Sequence, residues 1–144
     1  MASGSASVKL SGTTPFPPST PQYLQCNSSY FTAFGSELSP SGIARPESVE
    51  ELSLLIKELV EADAHIAIKG GGHTPWKGAA NIDNGITIDM SAINGVQLSA
   101  DENIVSISAG ERWGNVYKTL EKKGLAVVGG RVSRVGVTGL TLGG

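Results

Sequence analysis

Two glycine-rich stretches constrain this 144-residue chain more than anything else in it: Ala67 to Pro75, reading AIKGGGHTP, and Gly129 to Gly144, reading GGRVSRVGVTGLTLGG. Consecutive residues without a Cβ let the backbone turn tightly and lie against a ligand, so that its N–H groups converge on something anionic. In the first stretch a short apolar run and one cation lead into Gly70-Gly71-Gly72, and His73 follows at the far edge of the turn. Taken alone, those nine residues fit a plain glycine turn with a solvated imidazole equally well. The second stretch, joined to the first by a compact α/β segment, makes the two read as opposite sides of one cradle. The 19 glycines are clustered rather than periodic, which excludes collagen-like and elastic repeats.

Composition narrows the partners. Only 17 % of residues are charged and the formal net charge is -2, so the basic face expected of a nucleic-acid binder is missing. The length accommodates one core of ordinary size. A lone cysteine, Cys26, gives neither an internal disulfide nor a thiolate metal cluster, and no metal site is expected. The N-terminus has no basic region followed by an apolar one, and no run approaches the ~20 apolar residues of a membrane span, so a cytoplasmic chain with no membrane partner is expected. Asn27-Ser28-Ser29 matches the N-glycosylation acceptor pattern, which matters only in a secreted chain.

Residues 1–22, rich in Ser, Thr, Gly and Pro, read as a flexible arm. Residues 23–39, with Tyr23, Leu24, Tyr30, Phe31 and Phe34, read as an irregular or briefly helical packing segment, and residues 40–144 as the body. Ile43-Ala44-Arg45 precedes Pro46 and should be extended. Ser48 and Glu51 form a capping-box pattern ahead of Val49, Leu52, Leu55, Ile56, Leu59 and Val60 at helical spacing, which predicts a helix over 48–63. A second helix is predicted over 112–123, with Trp113, Val116, Tyr117 and Leu120 on one side and Gly124 just beyond. Strands are predicted near 66–69, 86–89, 104–109 and 126–128, with a further short one at Val96 and Leu98. The expected fold is α+β, two helices packed on a small mixed sheet.

Several chemistry-bearing residues have ordinary explanations. His65 lacks metal-ligand neighbours and reads as structural, Trp113 and Tyr117 as core, and Asp89 as structural too, orienting loop backbone or capping the turn at Ser91 to Gly95. A dinucleotide fingerprint is absent: Gly70-Gly71-Gly72 runs into His73-Thr74-Pro75-Trp76 with no helix following, and Lys69 precedes the glycines instead of following them as in a P-loop.

Ile66 to His73, Gly85 to Met90, Ala109 to Trp113 and Val127 to Gly144 together resemble the FAD-binding half of the vanillyl-alcohol-oxidase type (PCMH-type) flavoproteins. The chain is most similar there to the berberine-bridge-enzyme-like FAD-linked oxidoreductases of fungal secondary metabolism. The resemblance covers residues 40–144, and the joint presence of KGGGHT and VGVTGLTLGG carries it. It implies FAD as the cofactor, with the pyrophosphate held by the backbone of the first glycine loop and the second stretch lying along the cofactor's other side. It further implies a covalent bond from His73 to the 8α-methyl carbon of the isoalloxazine ring. The cofactor-binding residues it points to are Lys69, Gly70, Gly71, Gly72, His73, Thr74, Trp76, Gly130, Arg131, Val135, Gly136 and Gly139. Some members attach the flavin a second time through a cysteine whose place here is taken by Val132, so a single link is expected. The implied reaction is hydride transfer from a small organic substrate to the flavin, with oxygen as acceptor.

Relatives of this kind continue well past Gly144, and the resemblance therefore implies an N-terminal, C-terminally truncated part of the FAD domain without a catalytic residue of its own. Substrate would engage only a complete enzyme. The alternative is an inactive fragment, or a half-site partner completed by another polypeptide, marked by an open hydrophobic sheet edge in the second glycine-rich stretch.

Overall fold

Thr20 starts the first helix: its hydroxyl accepts the Tyr23 N–H, and Pro21, which has no N–H to leave unpaired, takes the first helical position. The computed structural model describes residues 12–143. In chain order the elements are α1 (Pro21–Asn27), α2 (Ala33–Ser36), β1 (Gly42–Ala44), α3 (Val49–Glu61), β2 (Ile66–Lys69), β3 (Ile86–Asp89), a single 3₁₀ turn at Met90–Ala92, β4 (Val96–Leu98), β5 (Val105–Ile107), α4 (Trp113–Glu121) and α5 (Val137–Gly143).

The strands fall into two sheets. β1, β3 and β2 form a three-stranded, wholly parallel sheet in that order, and β4 pairs antiparallel with β5 in a separate two-stranded one. The mixture of directions expected within one sheet is thus divided between two. Leu55 and Leu59 of α3 pack on Ala44, Ile88 and Met90 to form the core under the parallel sheet. Trp113, Val116 and Leu120 of α4 gather Val137 and the inner faces of β4 and β5 into a second core.

Parallel neighbours need a long connection, and it usually contains a helix. Between β2 and β3 the chain instead runs through residues 70–85, which hold the first glycine-rich loop and no helix. That loop leaves the carboxyl end of β2, the edge of a parallel sheet where ligands characteristically bind.

Four local expectations are corrected. The α3 cap forms, with Ser48 Oγ accepting from the Glu51 N–H at 3.1 Å, but Glu51 reaches back to the Glu47 N–H, one residue earlier than a capping box requires. The buried stripe of α3 is also narrower than its periodicity suggested, because Val49 and Val60 are exposed. Residues 126–128 form no strand: Leu125 and Val127 turn into the Trp113 core while Val128 is left in solvent, and strand propensity without a pairing edge does not suffice. The second glycine-rich stretch ends in α5 instead of an open strand edge. Val137 and Leu140, three apart, both pack on the Trp113 core, and the Val137 N–H bonds to the Glu111 carbonyl at 2.9 Å.

Residues 1–11 of the expected arm lie outside the described residues. From Gly12 onward the segment is packed: Phe16 bridges Ile43 through two backbone hydrogen bonds of 2.8 and 3.2 Å, and Thr13 Oγ1 donates to Glu51 at 3.1 Å.

Candidate functional site

The two glycine-rich stretches meet backbone to backbone at Gly71 and Gly136. A Cβ built on Gly71 would lie 2.3 Å from the Gly136 nitrogen, and one on Gly136 would lie 2.3 Å from the Gly71 nitrogen, so neither position accepts a side chain. Gly72, next in line, has φ +62° and places its carbonyl to accept the Phe31 N–H at 2.9 Å. Gly71 and Gly72 are buried, yet among the described residues the amides of Gly71, Gly72 and His73 have no hydrogen-bond partner. Buried donors are nearly always satisfied, so a run of free ones at the end of a strand is a binding feature.

A cavity of about 410 Å³ opens beside this contact, within the ~300–1,000 Å³ usual for small-molecule sites. Gly70, Gly71, Gly72, His73 and Thr74 line one side of it, and Val135, Gly136 and Gly139 the other. Eight of the twelve residues expected from sequence are therefore brought together. Ile68, Ala79, Ala80 and Leu140 complete the wall and were not expected; they are small or aliphatic, and only tertiary packing selects them.

The other four residues are placed elsewhere, each for a physical reason. Lys69 turns away from the cavity. Its Nζ lies 3.0 Å from Asp89 Oδ2, 2.7 Å from Ser29 Oγ and 3.2 Å from the Cys26 carbonyl, and 5.0 Å from the centre of the Tyr30 ring. Both side chains of the ion pair are buried, so the charge expected to attract an anion is already neutralised. Trp76 projects into solvent and lies outside the cavity wall. Gly130 is drawn into the second core, where its carbonyl accepts the Tyr117 hydroxyl at 2.9 Å. Arg131 is exposed and lies outside the cavity wall.

The buried pair organises its surroundings. Burial alone would raise the Asp89 pKa, but the Lys69 ammonium, with the Ser91 N–H donating to Oδ1 at 3.0 Å, holds it below the usual carboxylate range. Asp89 also performs the turn-capping role expected of it. Burial, and then the Asp89 charge, push the Tyr30 phenol far above its ordinary value, so it remains a donor, to the Ala80 carbonyl at 2.7 Å. The same two causes raise the Cys26 thiol, which stays neutral.

The N-terminal segment also grips the crossover. Fully buried Asn81 donates to Asn27 Oδ1 at 2.9 Å and to the Gly35 carbonyl at 2.8 Å, and accepts from Thr87 Oγ1 at 2.7 Å. The Asn27 amide nitrogen is in turn committed to the Ser36 and Leu38 carbonyls, so the glycosylation pattern there is used internally. At the mouth of the cradle the Phe31 ring stacks on His73, with centroids 4.0 Å apart and planes 15° apart. From its sequence Phe31 is expected only to pack; a contact spanning more than forty positions leaves no local signal.

The fold and this pair of loops define an α+β module with a backbone-lined cradle for an anionic cofactor. Residues 40–144 match the FAD binding domain family, and the chain belongs to it. It is 42 % identical over 105 residues to the FAD-dependent monooxygenase tpcD of Cochliobolus heterostrophus, an alignment covering 73 % of this chain and 20 % of that one. In fold it is similar to a berberine-bridge-like protein of Physcomitrella patens, the BBE-like 1 variant D396N (TM-score 0.78, 21 % identity, covering 89 % of this chain and 28 % of the other). It is likewise similar to glucooligosaccharide oxidase of Acremonium strictum, described with a 6-S-cysteinyl, 8α-N1-histidyl FAD (TM-score 0.75, 22 % identity, covering 88 % and 26 %). The chain thus spans about a fifth of the curated relative and a little over a quarter of the solved ones. The PCMH-type, berberine-bridge-like character inferred from sequence agrees with these likenesses.

The residues present fit FAD. Free amides at Gly71, Gly72 and His73 border the cavity and suit an anionic group, no side chain stands between the two loops at Gly71 and Gly136, and the flanking wall is largely apolar.

Proposed function

We propose that this chain forms the FAD-binding cradle of an FAD-linked oxidoreductase, with His73 as a single covalent tether. The observation that carries the reading is the run of unpartnered amides at Gly71, Gly72 and His73, held against Gly136. These N–H groups satisfy a diphosphate without a buried fixed charge, which suits a loop whose own lysine is neutralised by Asp89. Phe31, stacked on the His73 imidazole, holds the plane of the ring from which a nitrogen would act as the nucleophile. Val132 stands where a second, cysteinyl attachment would be made, and the tether is therefore single. Bound FAD supplies two-electron chemistry, accepting hydride from a small organic substrate and passing the electrons to oxygen.

Ile68, Leu140 and the two alanines give one side of the cradle an apolar wall. Substrate recognition and the catalytic base are assigned to parts of the complete enzyme beyond this chain.

The test is to produce the chain with FAD, denature it, and record the visible spectrum and intact mass. Flavin absorbance retained on the unfolded chain, with the mass raised by one FAD and both lost in His73→Ala, is the expected result. A clean apo mass in every preparation overturns the tether.

A further inference from the structure

A second cavity, of about 430 Å³, lies on the far side of the Gly71–His73 edge and shares those two residues with the first. Its character is different. Two arginines, Arg112 and Arg134, line it, and no carboxylate does. Among the described residues neither arginine has an ion pair and the Arg134 side chain has no hydrogen-bond partner, while Arg112 donates to the Arg134 carbonyl. The nearest acid in sequence, Glu111, is buried and committed to the Gly95 N–H and the Asn115 amide, each at 2.8 Å.

The hydroxyl groups of the wall are already in use, that of Tyr30 on the Ala80 carbonyl. Ser28 Oγ donates to the Gln25 carbonyl, and Ser29 Oγ donates to the Cys26 carbonyl and accepts from Lys69. Beside the free Gly71 and His73 amides, which this wall shares with the cradle, the charged donors left for a ligand are guanidinium forks, which match planar oxyanions bidentately. Beside them Phe31 covers His73 and is still 63 % exposed, leaving an aromatic surface next to the positive charge.

We infer that this cavity binds a small aromatic carboxylate, its charged group on Arg112 and Arg134 and its ring along Phe31, separately from the glycine cradle. The two compartments meet at His73, so a molecule held here lies next to whatever occupies the cradle. The site stands on its own residues and does not depend on FAD binding; only the ligand's identity as a substrate would rest on the proposed function.

Benzoate is the probe, titrated into the 144-residue chain at low ionic strength and followed by calorimetry, with inorganic phosphate as the non-aromatic comparison. FAD binding is measured separately by flavin fluorescence. Saturable benzoate binding is expected, weakened about tenfold by Arg134→Gln, the loss of one charge-assisted contact. Arg131→Gln, which removes an equal charge outside the cavity, should leave it unchanged. Phe31→Leu should weaken benzoate and spare phosphate. The proposal is overturned by absence of saturation, by equal losses in the two arginine variants, or by displacement of benzoate on adding FAD, which would make the arginines part of the cofactor's own phosphate site. Circular dichroism of each variant identifies any loss due to misfolding, and the Phe31→Leu comparison then decides in an independently folded chain.

Discussion

Lys69 and Asp89 are paired across neighbouring strands of the parallel sheet, Nζ to Oδ2 at 3.0 Å, with both side chains almost wholly removed from water. The pair sits where β2 turns into the glycine loop and so fixes the base of the cradle from below.

Asp89→Asn leaves the Lys69 ammonium buried without its counter-charge, and a loss of about 3–5 kcal/mol in unfolding free energy is expected. Replacing both together, Lys69→Met with Asp89→Leu, should recover most of that loss, apart from what the Ser91 turn loses with its cap. Urea denaturation of the two variants checks it; equal destabilisation in both would show that the pair contributes more than charge compensation.

The same carboxylate gives the chain an acid limit. Its folded pKa lies below the ordinary value of 3.8, so its stabilisation is fully present above that value and is lost as pH falls toward the folded pKa. Thermal unfolding measured from pH 6 downward should show stability decreasing below about pH 4, with a shallower slope in Asp89→Asn. Asp101, fully exposed and held to about 2 by Ser99 and Asn103, titrates over the same range, and Asp101→Asn is the necessary control.

Gly71→Ala places a methyl group 2.3 Å from the Gly136 backbone nitrogen, where no side chain can yield. It should cost about 1–3 kcal/mol or separate the two loops, and abolish FAD binding in either case. Gly139→Ala, in α5 with nothing within 4 Å of the added carbon, should instead raise the melting temperature through helix propensity worth up to about 1 kcal/mol. Melting curves with and without FAD separate the two behaviours.

Phe31→Ala removes the ring stacked on His73. Because Phe31 is largely exposed, stability should change by only about 0.5–1.5 kcal/mol. The rate of covalent flavin incorporation should fall, and Phe31→Tyr should restore it. Equal rates in all three proteins would remove the positioning role.

Parts of this architecture are written locally and parts are not. The cap at Ser48, the Gly124 end of α4 and the extended residues before Pro46 depend on neighbours within a turn, and they appear in the structure where the sequence places them. The cradle glycines were legible because a run without Cβ atoms has few uses. Lys69 misled because its partner Asp89 is twenty positions away, and the sequence alone does not show which way a loop lysine turns. Val137 to Gly143 misled because a glycine-rich apolar run carries no strong period, and packing on Trp113 decided for helix. Arg112 and Arg134 gave no signal at all: their association is made by the bridge between Arg112 and Gly136.

The segment before β1 changes what counts as the functional unit. Asn27, Ser29, Tyr30 and Phe31 all precede residue 40, where the family match begins, yet they hold Asn81, Lys69, the Ala80 carbonyl and His73 in place. The matched domain and its mechanical support therefore have different boundaries in this molecule. Cutting the chain where the domain match begins would keep every cradle glycine and release the frame that shapes them.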